Sequence, residues 1–160
     1  MKGSRKFIAG LLTFLFLISA TGNVFATPSN STTVAMRNLV AYNWTFYEQG
    51  MMENNCLAYA MGNTTSWIWP WGEDNPTISE CKTWLTTKGY DSLSGEGPLT
   101  GPLSMTAYAL NGRVTHFAKA ITSSTVRAKW GQSEVFNHSN LDPYTNYVYG
   151  PLALRISKPF

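Results

Sequence analysis

The sequence predicts an α+β domain in which N-terminal helices pack on an antiparallel sheet. Three observations carry this. The stretch "NPTISECKTWLTTKG" has a helix start and a helix stop. The stretch "MTAYALNGRVTHFAKAI" has the form of a hairpin. The helical signals come before the strand signals, which is the segregated pattern of helices on one side of a sheet.

Cys56 opens the first element with a clear signal. Asn54 or Asn55 suits an N-cap, Leu57 to Met61 are compatible with a helix, and Gly62 suits the left-handed residue that closes one. A short helix with Cys56 in its first turn follows. In the second helix Thr77 and Glu80 make a capping box, Ile78, Cys81, Trp84 and Leu85 share an apolar face, and Gly89 ends the run. Between the helices, "SWIWPWG" is an aromatic loop fixed by Pro70. The earlier stretch Val34 to Gln49, rich in aromatic residues, has no decisive period and is assigned to packing.

Two apolar, β-compatible runs flank Asn111 and Gly112, the pair favoured in a two-residue type I′ turn. "TVRAKWG" reads as a third antiparallel strand and "PLALRIS" as a fourth. Side chains alternate along a strand, so Val114, His116, Ala118 and Ala120 are expected on one face.

Residues 1–26 have the basic start, apolar run and small-residue cleavage pattern of a signal peptide. Residues 27–33 read as a flexible arm, and residues 34–160 as one domain of common size. Three of the twelve basic residues lie in the leader, so nine basic residues remain against nine acidic ones. That balance lacks the basic stripe of a nucleic-acid binder. No later apolar run reaches the roughly 20 residues a membrane span needs, so no membrane partner is expected after cleavage. The expected location is secreted or associated with a bacterial cell wall.

The chemistry-bearing residues are few. Two cysteines in an exported chain allow a Cys56–Cys81 disulfide, which would remove thiol chemistry. Cys81 on an apolar helix face and Cys56 at a helix start favour free thiols instead. Two alanines beside His116 leave room on its strand face, and a helix carrying Cys56 would fit opposite. There an imidazolium and free helix-start N–H groups would lower the thiol pKa from about 8.5, and His116 would serve as acid and base. Backbone N–H groups, with the Asn55 or Gln49 side chain, would hold an oxyanion. The same residues also fit plain packing, because buried cysteines and satisfied strand histidines are common. His138 reads as a loop histidine. Scattered Cys and His spacings match no metal motif, and no metal or cofactor is expected.

The blocks "NCLAYAMGNTTSWIWPWG", "AYALNGRVTHFAKAI", "AKWG" and a late "VYG" before a basic strand resemble an uncharacterised bacterial family with a papain-like look. Those features are similar in turn to the NlpC/P60 and CHAP cysteine peptidases. The resemblance implies a papain-like fold, Cys56 as nucleophile, His116 as base and Asn55 as the polar residue before the nucleophile. It implies peptide, protein or peptidoglycan substrates. The third, orienting residue of that pattern falls near Ala128, which cannot orient a ring, leaving a backbone carbonyl, water, Gln132 or His138 for the role. A different function fits the same fold: a non-catalytic module whose aromatic groove, Trp67, Trp69 and Trp71, binds a peptide or glycan.

Overall fold

A computed structural model describes residues 34–94, 99, 103–145 and 147–159. The expected signal peptide and arm lie outside the described residues. The chain runs α1 (Val34–Val40), β1 (Thr45–Glu48), α2 (Cys56–Ala60), α3 (Ile78–Thr87), β2 (Asp91–Ser94), β3 (Met105–Leu110), β4 (Arg113–Ala120), β5 (Val126–Lys129), β6 (Val135–His138) and β7 (Leu152–Ser157). The strands form one seven-stranded sheet in the order β1-β6-β5-β4-β3-β7-β2, and each pairing is antiparallel. The class is α+β, as the sequence predicts. The expected block of N-terminal helices is not what forms, because β1 lies between α1 and α2 and adds to the sheet edge.

Local chemistry explains the elements read correctly. Asn55 caps α2, its Oδ1 accepting from the Ala58 N–H, and Gly62 follows with φ +80°. Thr77 and Glu80 form the complete capping box of α3, satisfying N–H groups that have no partner within the helix. Asn111 and Gly112 both have positive φ, 53° and 78°, the backbone of a type I′ turn.

Two expectations fail for stated reasons. The stretch from Val34 to Gln49 does not serve mainly as packing. All four residues of β1 are exposed, as is Tyr42, although Val40, Ala41 and Trp44 pack into a core and the Trp44 and Phe46 rings both meet the Phe136 ring edge-on. Secondly, Val114 does not share a face with His116. Tyr108 pairs with His116 but Ala109 pairs with Val114, so Thr115 is an extra residue that reverses the alternation.

That bulge sorts β4 between two cores. Val114 and Phe117 pack with Cys56, Leu57 and Ala60 of α2 and with Cys81 and Leu85 of α3. Ala118 packs on the opposite face with Tyr108, Ala128, Phe136 and Tyr144. A buried Arg37–Glu134 ion pair, 3.2 Å, ties α1 to the loop before β6. Among the described residues no helix is long and apolar enough to cross a membrane.

Candidate active site

Cys56 is the first residue of α2 and only 7 % exposed. Both cysteines are free thiols. β5 pairs with β4 only at Lys119 and Ala120, Cys56 packs with Phe117 of β4, and the Phe117 backbone favours the thiolate. The N–H groups of Leu57 and Cys56 itself favour the thiolate as well, and so does the charge of Lys129.

Burial outweighs all of these and pushes the thiol up to about 11. The expected acidic thiol is therefore absent. With five residues, α2 is shorter than two turns, too short for an extended macrodipole to offset the desolvation.

His116 is buried, 1 % exposed, and its ring lies among aromatic rings on the face away from the Phe117 side chain. Tyr149 stacks on it at 3.8 Å between centroids, and Tyr144 meets it edge-on at 5.2 Å. These rings occupy the space beside Ala118 where the sequence places a helix. Burial, and next the charge of His138, hold His116 well below its usual value, so the ring is neutral. Among the described residues its Nε2 has no hydrogen-bond partner.

The thiol and the imidazole lie on opposite sides of β4: Cys56 packs with Phe117, and the His116 ring packs with Tyr108, Tyr144 and Tyr149. The backbone of Phe117, the residue after His116, favours the thiolate, and a thiolate charge would raise the pKa of both Tyr144 and Tyr149. His138 stands behind Tyr144: its Nε2 lies 3.4 Å from the Tyr144 hydroxyl, and Nδ1 meets the Asn43 carbonyl. It touches His116 only through charge. Burial lowers its pKa to about 4. Ala128 is fully buried, as a residue without an orienting group.

The other expected site residues divide. Asn55 has structural partners at both ends: Oδ1 caps α2 and Nδ2 donates one hydrogen to the Ile68 carbonyl at 2.7 Å, which leaves one donor hydrogen. Trp69 and Trp71 cover the core, meeting each other at 5.2 Å and the Phe117 ring at 6.1 and 6.5 Å. Trp67 alone of the three is exposed, at 53 %. Gln49 lines a cavity of about 150 Å³ with Asn54 and Lys129.

Lys129 is the residue the site reading missed. It is 1 % exposed, alternates with Ala128 onto the α2 side of the sheet, and donates from Nζ to the Gly131 carbonyl at 2.5 Å. Burial lowers its pKa to about 8, with the Cys56 and Glu53 charges opposing. The available signal was a lysine flanked by apolar neighbours in "VRAKWG", since buried lysines are rare without a partner.

A family model matches residues 47–157, a span that takes in Cys56, His116, Lys129 and His138. The chain belongs to the DUF7689 family. Its description is a domain of unknown function. No curated protein and no solved structure matches the chain. The DUF7689 match begins within β1 and ends with β7, so the whole sheet except the start of β1 belongs to the family unit.

Proposed function

We propose that this DUF7689 domain is a papain-like cysteine hydrolase, secreted or held at a bacterial cell wall, that cleaves peptide or amide bonds in peptidoglycan peptides or proteins. The observation that carries the proposal is Cys56 at the start of α2, packed with Phe117 of β4, the residue that follows a buried histidine whose Nε2 has no hydrogen-bond partner among the described residues.

A resting neutral pair sets the order of events. With the thiol near 11 and His116 uncharged, sulfur keeps its proton at rest, and the His116 ring has to swing from the Tyr149 stack to the Cys56 side of β4 to take that proton as Sγ attacks the substrate carbonyl. The amides of Cys56, Leu57 and Phe117 stabilise the negative charge, and the protonated imidazole delivers its proton to the departing amine. Water then hydrolyses the thioester. Stacking on Tyr149 holds the His116 ring in its resting position.

A second reading is favoured by one observation. Cys56 is nearly enclosed and Ala128 fills the orienting position, features that suit a peptide- or glycan-binding module without turnover. The experiment that separates them incubates the protein with muropeptides and with a tryptic peptide mixture, and scores new termini by mass spectrometry. New termini from the parent and none from Cys56→Ala support the hydrolase. Retained binding with no new termini from the parent supports the binding module.

A further inference from the structure

Beside the candidate nucleophile lies a second feature that the hydrolase reading does not use. The cavity of about 150 Å³ is lined by the β1 end (Glu48, Gln49), by Asn54 and Tyr59 around α2, and by Lys129 of β5. Asn54 is fully buried. Its Nδ2 donates to the Asn63 carbonyl at 3.1 Å, and its Oδ1 has no partner among the described residues. An unpaired buried acceptor is costly, so such an atom points to a donor supplied from outside.

The charges around the cavity restrict what that donor belongs to. A carboxylate could pair with Lys129 but would face the Glu48 carboxylate and leave Asn54 Oδ1 without a donor. An ammonium would meet the Lys129 ammonium, which uses one donor on Gly131 and has others to offer. A primary carboxamide satisfies both sides: its NH₂ donates to Asn54 Oδ1 and its oxygen accepts from Lys129 Nζ. The Tyr59 hydroxyl already donates to Glu48 at 3.2 Å, which leaves that carboxylate lone pairs for the second amide hydrogen.

We propose that this cavity is a subsite for a primary carboxamide side chain, glutamine or asparagine, of a bound peptide, read by Asn54 and Lys129. The proposal rests on the reading of the neighbouring site as one that takes peptides. Asn54 is two residues before Cys56, and the Lys129 charge reaches the thiol, so a residue in the cavity lies next to the bond offered to sulfur.

The test is binding to the full chain carrying Cys56→Ala, so that turnover plays no part. Probes are acetyl-Ala-X-Ala-N-methylamide with X as Gln, Glu or Leu, followed by NMR through the backbone amide signals of Gln49, Tyr59 and residue 129, which line the cavity in the parent and in both variants. The glutamine probe should bind about tenfold more tightly than either other, the discrimination expected from one buried polar group left unpaired. Asn54→Ala should erase that preference. Lys129→Met, which keeps the buried volume, should do the same and covers the case in which the Asn54 variant fails to fold. Equal binding of all three probes, as a backbone amide in the cavity would give, overturns the proposal, and so does a glutamine preference that survives in either folded variant. If the parent cleaves nothing yet the preference is found, the hydrolase reading fails and the subsite stands; cleavage without the preference is the converse.

Discussion

The Tyr149 ring lies on the His116 ring, with centroids 3.8 Å apart and planes 10° from parallel. Tyr149 is held there from both sides. Its carbonyl accepts from the Thr115 hydroxyl at 2.5 Å. Gly150 then brings the chain so close to β3 that a Cβ would stand 2.1 Å from the Ala109 oxygen. The imidazole is thus clamped by a ring and by backbone.

Acid should weaken the fold through the two histidines. Both have pKa values lowered by burial from about 6.5, His138 to about 4 and His116 well below 6.5. The unfolded chain therefore binds more protons once the pH drops through 6.5, and stability falls as the pH falls toward 4. His138 alone contributes a loss of roughly 3 kcal/mol at pH 4 relative to pH 7. Urea midpoints measured from pH 7.5 to pH 4 should show the decline, and Tyr149→Ala, by opening His116 to water, should raise the His116 pKa in an NMR titration.

Thiol labelling should separate the roles of Lys129 and His116. Lys129 favours the Cys56 thiolate, while His116 is neutral and contributes no charge. Lys129→Met should slow alkylation of Cys56 by iodoacetamide on the order of threefold to tenfold, half to one pKa unit. His116→Ala should leave the labelling rate near the parent's at pH 8 yet abolish any turnover. Cys81, with its thiol pushed up to about 12 by burial, should label more slowly than Cys56. A His116 variant that labels as slowly as the Lys129 variant would contradict a neutral resting pair.

Asn55 joins α2 to the aromatic loop, and its two ends can be tested apart. Asn55→Ala removes the cap and the bond to the Ile68 carbonyl, and should cost about 2 kcal/mol in chemical denaturation. Asn55→Asp keeps the cap acceptor and loses only the Ile68 bond, so its loss should be smaller. Equal losses would show that the cap contributes nothing.

The tryptophans of the aromatic loop should behave differently from one another. Trp71 is wedged between Trp69, Trp84 and Phe117, and Trp71→Ala should cost about 3 kcal/mol. The Trp67 side chain is mostly in solvent, and Trp67→Ala should change stability by less than about 0.5 kcal/mol. If Trp67→Ala also leaves peptide and glycan binding unchanged, the aromatic groove has no part in recognition.

The sequence by itself determined the local elements. Asn55, Thr77 with Glu80, and Asn111 with Gly112 specify two helix starts and a hairpin because their signals act over three or four residues. It also placed Cys56 at a helix start and His116 on a strand. It could not show on which side of that strand His116 would fall, since the Thr115 bulge reflects pairing with β3 and shifts the face by one residue. The edge strand β1 was equally hidden, because its four exposed residues carry no burial pattern. Only the tertiary structure decided the electrostatics of the site. Lys129, Tyr149 and His138 come from separate parts of the chain, and a pKa depends on how much water and which charges the completed fold leaves around a group. Burial by those distant residues turned an expected thiolate–imidazolium pair into a neutral thiol beside a neutral ring.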